Sequence, residues 1–236
     1  MRALLAVLVL MPFLAACGST GSDPDPTPDS VSVETILASA STRIAETQSM
    51  RFGLAVEGDT FIDTTNTILL LAARGQLARP DSVAVDFQVS LFGAGSVSIR
   101  MVSIGPVAWT TDLLTGNWGV APAEFGYNPT VLYDNQNGLG PVMGRIENPE
   151  LLGTEDVRGR IAQHIRGVAT KETIALVTSE TMTGSAIATE LWIDAETSDL
   201  LRVRLAEPAD SGKAEPAVWT MDLTDHGKQV SIEPPI

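Results

Sequence analysis

The sequence is poor in the residues that usually carry chemistry. Its 236 residues include one cysteine and two histidines. A lone cysteine excludes an internal disulfide, so stability must rest on burial and hydrogen bonding. Neither His164 nor His226 has a metal-ligating neighbour at short spacing, which excludes the common zinc patterns. Basic residues are scarce as well, 15 against 29 acidic, for a net charge of −14. No basic stripe is available to neutralise phosphates, so a nucleic-acid partner is excluded, and charge-driven docking on an anionic membrane is disfavoured. Aromatics make up 5%. The four tryptophans (Trp109, Trp118, Trp192 and Trp219) are far apart and read as sheet packing, not as a sugar-stacking platform. There is no GxSxG elbow, GxGxxG turn or Walker A loop, and Gly93-Ala94-Gly95-Ser96 reads as a hairpin turn. Glu155-Asp156 and Asp194/Glu196 lie in turn-like contexts, where solvation and local hydrogen bonding account for them. No catalytic constellation is present; neither an enzyme nor a cofactor is expected.

What is present begins with an export segment. Met1-Arg2 is a minimal basic start, Ala3 to Phe13 an apolar run too short to span a bilayer permanently, and Leu14-Ala15-Ala16-Cys17 follows. The sequence LAAC resembles the bacterial lipobox. That resemblance implies cleavage after residue 16, lipidation of Cys17, and retention on the extracytoplasmic side of the cell membrane. Residues 17–31 are rich in Pro, Asp and Ser and read as an extended tether, leaving residues 32–236 as the folded domain.

In that domain Val33, Ile36, Leu37, Ala40 and Ile44 recur at helical spacing. Ser30 or Ser32 is available as N-cap and Glu34 falls in the first turn, so the spacing predicts one amphipathic helix ending near Gln48. From Met50 the period changes to two. Met50, Phe52, Leu54 and Val56 alternate with Arg51, Gly53, Ala55 and Glu57, and a second clean alternation runs through Val83, Val85, Phe87, Val89 and Leu91. Further strands are expected at 68–77, from 97 through 109, and, after a Thr115-Gly116-Asn117 turn, around Trp118. Later candidates are 161–168, 174–178, 186–194, 200–206, 218–223 and 230–232. Hairpin-connected strands at this spacing predict an antiparallel sheet of roughly ten strands in an α+β fold.

Residues 125–158 interrupt the strand pattern. Two short apolar clusters, at 131–133 and 139–143, are broken by Gly, Pro or Asn before a stable helix can run long. Such pieces must pack on something larger, and the apolar face of the sheet is the natural partner. Each strand has only one markedly apolar face, and aromatics are few. A helical cover, or a ligand beneath it, is needed to fill the concave side of a curved sheet. A tightly packed core is the other reading of the same pattern.

Several stretches together resemble one family. Gly153-Thr154-Glu155-Asp156-Val157-Arg158-Gly159, Glu190-Leu191-Trp192-Ile193-Asp194 with Thr197, and Leu223 through Val230 (LTDHGKQV) occur in a familiar order. With the lipobox they resemble the LppX/LprA/LprF/LprG lipoproteins of mycobacteria and their relatives. The resemblance implies a half-barrel of antiparallel strands wrapped around helices, similar to the LolA/LolB carriers. It also implies an apolar cavity holding acylated lipids or glycolipids, lipid traffic within the cell envelope, and no catalytic motif.

Candidate cavity residues are taken from the apolar phase of the strands: Phe52, Leu54, Phe87, Val89, Leu91, Ile99, Met101, Leu191 and Ile193. Val131, Leu132, Leu139, Val142 and Met143 come from the cover, where Gly138, Gly140 and Gly144 are candidate hinges. The expected partners are an acylated lipid or glycolipid, the membrane through Cys17, and an envelope transporter. The alternative is a non-enzymatic structural or interaction lipoprotein with a packed core.

Overall fold

The computed structural model describes residues 31–236 apart from residues 64, 92, 94 and 122–128. The expected signal segment, Cys17 and all but Val31 of the expected tether therefore lie outside the described residues, as do residues 125–128 of the expected cover.

The chain opens with α1 (Val33–Glu46), N-capped by Ser32, whose hydroxyl accepts from the Thr35 amide. Its buried stripe is Ile36, Leu37, Ala40 and Ile44, as the helical spacing predicts. Six strands follow: β1 (Ser49–Glu57), β2 (Ile68–Ala78), β3 (Ser82–Leu91), β4 (Val97–Ile104), β5 (Val107–Thr111) and β6 (Trp118–Val120). A short 3-10 helix (Pro129–Tyr133) and α2 (Leu139–Met143) precede β7 (Glu147–Val157), β8 (Arg160–Thr170), α3 (Lys171–Ile174), β9 (Ala186–Asp194), β10 (Leu200–Ala206) and β11 (Val218–Thr224).

The eleven strands form one open antiparallel sheet in the order β6-β5-β4-β3-β2-β1-β11-β10-β9-β8-β7. Neighbours in this order are also neighbours in sequence except where β1 meets β11, so the chain lays down the two halves of a half-barrel and joins them at that pair. Period two sorts the faces. Met50, Phe52 and Leu54, Val83, Val85, Phe87 and Val89, and Val203 and Leu205 all point to one core shared with α1, α2 and the 3-10 helix. Arg51, Arg74, Arg202 and Arg204 belong to the opposite phase and lie outside that core.

The sequence-based expectations need correction at four places. Residues 147–157 belong to the sheet as its edge strand β7 and not to the cover. Almost every residue of β7 is exposed, so no apolar phase marks it. Its pairing with β8 is bulged between Glu147 and Glu150 and between Leu151 and Gly153, which hides the period further. Residues 174–178 are no strand: α3 and a following turn replace it, started by Thr170, whose hydroxyl caps the Thr173 amide. A four-residue apolar run does not distinguish strand from helix, and here a local cap decides. The strand expected from 97 through 109 is divided by a turn at Gly105, whose φ of +57° suits glycine. Residues 230–232 lie outside the sheet. Two of the candidate hinge glycines, Gly138 and Gly140, stand in close packing. A Cβ on Gly138 would stand 2.6 Å from the Asp134 carbonyl oxygen, and one on Gly140 would stand 2.9 Å from Ile44 Cγ2. Gly140 thus lets α2 press directly on α1.

Candidate functional site

The site is the interior between the sheet and its cover. Arg79, in the β2–β3 turn, fastens the cover from one side. Its Nε donates to the Thr47 carbonyl (3.0 Å), Nη2 to the Ile44 carbonyl (3.2 Å) and Nη1 to the Tyr133 carbonyl (3.2 Å). The first two carbonyls lie at the C-terminal end of α1, where backbone acceptors lack partners in the helix and a cation suits the dipole. The guanidinium also sits 4.5 Å from the centre of the Tyr133 ring. Burial raises the Tyr133 phenol far above its ordinary pKa, with Arg79 opposing, so this ring is neutral.

A second fastening lies on the opposite half of the sheet. Arg43 of α1 donates to Asp199 Oδ1 at 2.7 Å, and Arg160 donates to Asp199 Oδ2 at 2.9 Å and Asp194 Oδ2 at 2.8 Å. Burial alone would raise the Asp199 carboxyl, but the hydrogen bonds from Arg160 and Arg43 outweigh it and hold it below the usual carboxylate range. His226 packs beside this group with its Nε2 donating to the Leu200 carbonyl (3.0 Å), and its Nδ1 is buried without a hydrogen-bond partner. Burial depresses its pKa, only partly offset by Asp199, and the ring is neutral near pH 7.

Between these fastenings the interior is nearly full. Among the described residues a cavity of about 20 Å³ lies there, lined by Leu54, Leu132, Leu139, Val177, Thr178, Val203, Leu205, Trp219 and Met221. That is room for about one water, in walls too apolar to hold one. Three of the residues expected from the sequence line it: Leu54, Leu132 and Leu139. Phe52, Phe87, Val89, Ile99, Met101, Val142, Met143, Leu191 and Ile193 join the same core without touching the cavity, Leu91 packs at its margin, and Val131 is half-buried. Sequence reasoning missed Val203, Leu205, Trp219 and Met221 although they stand in alternating positions of β10 and β11, where the signal was legible. Val177 was hidden by the strand assignment of its segment. Trp219 is anchored by its indole N–H, which donates to the fully buried Thr60 hydroxyl at 3.1 Å.

No group of three or more His, Cys, Asp or Glu side chains able to hold a metal ion occurs among the described residues. The Asp194/Glu196 turn is held by local bonds from the Glu196 and Thr197 amides and by Arg160.

With this geometry in view, comparison with known proteins is decisive. The family described as LppX_LprAFG lipoprotein matches residues 32–232, nearly the whole described domain. The chain belongs to this family. Lipoprotein LprA of Mycobacterium tuberculosis is 22% identical over 246 aligned residues, covering 98% of this chain and 95% of its own. A protein named putative diacylated glycolipid transporter LprF, from Mycobacterium bovis, is 26% identical over 204 residues, covering 80% of this chain and 74% of its own. The crystal structure of LprF from Mycobacterium bovis superposes with a TM-score of 0.68 at 18% identity, over 86% of this chain and 96% of that one. That of LppX from Mycobacterium tuberculosis gives 0.58 at 15%, over 86% and 100%. The LppX_LprAFG half-barrel is therefore the fold of this chain, reached with few identical residues.

Proposed function

We propose that this LppX_LprAFG protein is a membrane-anchored carrier that holds acylated lipids or glycolipids between its sheet and its helical cover and moves them within the cell envelope. The observation that carries this reading is the continuous apolar core of one open sheet, closed by a cover made of short helices and pinned by a few polar contacts. The name of the LprF relative supplies the ligand class. Lipidation at Cys17 would keep the domain on the extracytoplasmic face of the membrane, with an envelope transporter as its partner for loading or release. The reading assigns no catalytic step and no cofactor.

The energetics favour a carrier. Each buried methylene is worth about 0.8 kcal/mol, so a sixteen-carbon chain in water costs on the order of 12 kcal/mol. Free transfer between membranes is correspondingly slow, and a protein interior that shelters the chain removes the cost. Pockets for organic ligands span roughly 300–1,000 Å³. A cavity of about 20 Å³ is thus the closed form, and the cover must lift or side chains must part to admit a chain.

That nearly filled interior is also the one observation favouring a second reading, a lipoprotein with a permanently packed domain that meets protein partners. Uptake of a fluorescent fatty-acyl probe by delipidated protein separates the two. A carrier takes up the probe saturably, and Met143→Trp, which overfills the core beneath the cover, reduces uptake while leaving the circular dichroism spectrum native. Absence of uptake, together with native mass spectra free of bound lipid for protein purified from its own host, would overturn the carrier reading.

A further inference from the structure

The outer face of the sheet carries a feature that the apolar interior does not explain. A trough of about 600 Å³ crosses β11, β1, β2, β3 and β4, with Trp118 and Arg158 also in its lining. Strand register accounts for it. Asp222, Gly53, Arg74, Asp86 and Arg100 stand in one row across these five strands, each directly opposite the next. Gly53 leaves a gap in the row, since nothing lies within 4 Å of where its Cβ would be. In the adjoining row, Ala84 opposes Gln76 and keeps the floor low.

Charge sets the trough apart. On a chain of net charge −14, its lining brings together Arg51, Arg74, Arg100 and Arg158 against only Asp86 and Asp222. The pairing is uneven. Asp222 is taken by Arg158 and Arg202, and Arg51 is bound to Asp225 at 2.8 Å. Asp86 accepts from the Ser98 hydroxyl and holds Arg74 only at 3.5 Å. Arg100 makes no ion pair among the described residues; its guanidinium rests 5.2 Å from the Trp118 ring centre. Arg100 is therefore left without a counterion among the described residues, and Arg74 is held only by its longer pair with Asp86.

We propose that this trough binds a phosphate-bearing polar ligand of sugar size, with Arg74 and Arg100 holding the phosphate. The two arginines flank β3 at a backbone separation of roughly 9–10 Å, two strand spacings, so their long side chains can converge above Asp86. A phosphate presents three strong acceptor oxygens and up to two charges, enough to engage both guanidiniums, whereas a carboxylate presents two oxygens and one charge. Trp118 holds Arg100 over the trough instead of letting it swing into solvent. The volume exceeds what a bare anion fills and falls within the range of organic-ligand pockets. Gln76 and Thr224 offer polar contacts beside the floor. Because alternate residues of each strand face opposite sides, the sheet separates this trough from the apolar core. The ligand is then a second molecule and not the headgroup of a chain held inside.

Titration of the protein with glucose 6-phosphate, and separately with phosphatidylcholine vesicles containing phosphatidylinositol 4-phosphate, whose phosphate is likewise a monoester, tests the proposal and identifies the source of the phosphate. Calorimetry should show saturable binding to one or both, weakened at least tenfold by Arg100→Gln or Arg74→Gln and by Gly53→Leu, which fills the trough. These side chains lie on the outer face, so thermal melting and acyl-probe uptake should match those of the parent protein. Binding to neither probe, or variants that bind like the parent, would overturn the assignment. Equal affinity for inorganic phosphate would overturn the sugar-sized ligand.

Discussion

Arg79→Met offers the sharpest test of whether the cover gates the interior. Methionine keeps the apolar stem against the protein and removes the guanidinium, and with it three hydrogen bonds to the carbonyls of Ile44, Thr47 and Tyr133. Hydrogen bonds to a charged donor are worth about 1.5–3 kcal/mol each. Arg79 is half-buried and the freed carbonyls can turn to water, so the set is discounted to about 3 kcal/mol, including the contact with the Tyr133 ring. All three carbonyls belong to α1 or to the segments joining the cover, so the loss falls mainly on the closed form. At 1.4 kcal/mol per tenfold, the population with a lifted cover should rise by about two orders of magnitude. Two measurements read this: hydrogen exchange of the α1 and 3-10 amides, and stopped-flow entry of a fluorescent acyl probe. Both should quicken, entry by at least tenfold, with the plateau of bound probe little changed. Faster exchange with unchanged entry would show that chains do not pass beneath this cover, and the gating argument would fail.

Other outcomes follow from particular contacts. Gly140→Val places branches where a single Cβ already stands 2.9 Å from Ile44 Cγ2, and should lower stability by about 1–3 kcal/mol in urea unfolding. Glu207→Ala removes a fully buried carboxylate that accepts from the Thr183 and Ala217 amides and pairs with Lys213 at 2.8 Å. A loss of about 3–5 kcal/mol in the same assay is expected from stranding its partners. His226 has a folded pKa below its ordinary value of 6.5, so the unfolded chain takes up a proton first as pH falls. Its contribution is complete above pH 6.5 and shrinks as pH drops below that value toward the folded pKa, so melting temperature should decline over this window. In His226→Gln, whose amide can still donate to the Leu200 carbonyl, that part of the decline should vanish.

The legible parts of the fold were those written in repeating chemistry. The α1 stripe and the alternations from Met50 and from Val83 each bury one whole face, and burial of a face is what a period records. β7 was illegible because an exposed edge strand buries almost nothing; Val157 is its only buried residue. The turn of α3 was illegible because a single hydroxyl, that of Thr170, decides it. In the interior, the apolar class of each lining residue was readable, but not which of them meet. Leu54 of β1 and Leu205 of β10 reach one cavity only because β11 pairs with β1, a closure between distant segments that no local pattern announces. The trough was invisible for the same reason. Arg74 and Arg100 are unremarkable polar-phase residues until strand register sets them on either side of Asp86.

The irregular edge strand has a bearing on life at a surface. A protein anchored as proposed would meet its copies at high local density, and the edge of an open sheet offers amides and carbonyls that invite strands to zip together molecule to molecule. In β7, Asn148 and Gly153 have left-handed φ angles of +49° and +132°, and two bulges throw the backbone out of step, so a neighbour's strand finds no long run of matched donors and acceptors. At the other margin β6 is only three residues long. On the carrier reading proposed above, crowding on a bilayer should thus leave these molecules as separate particles.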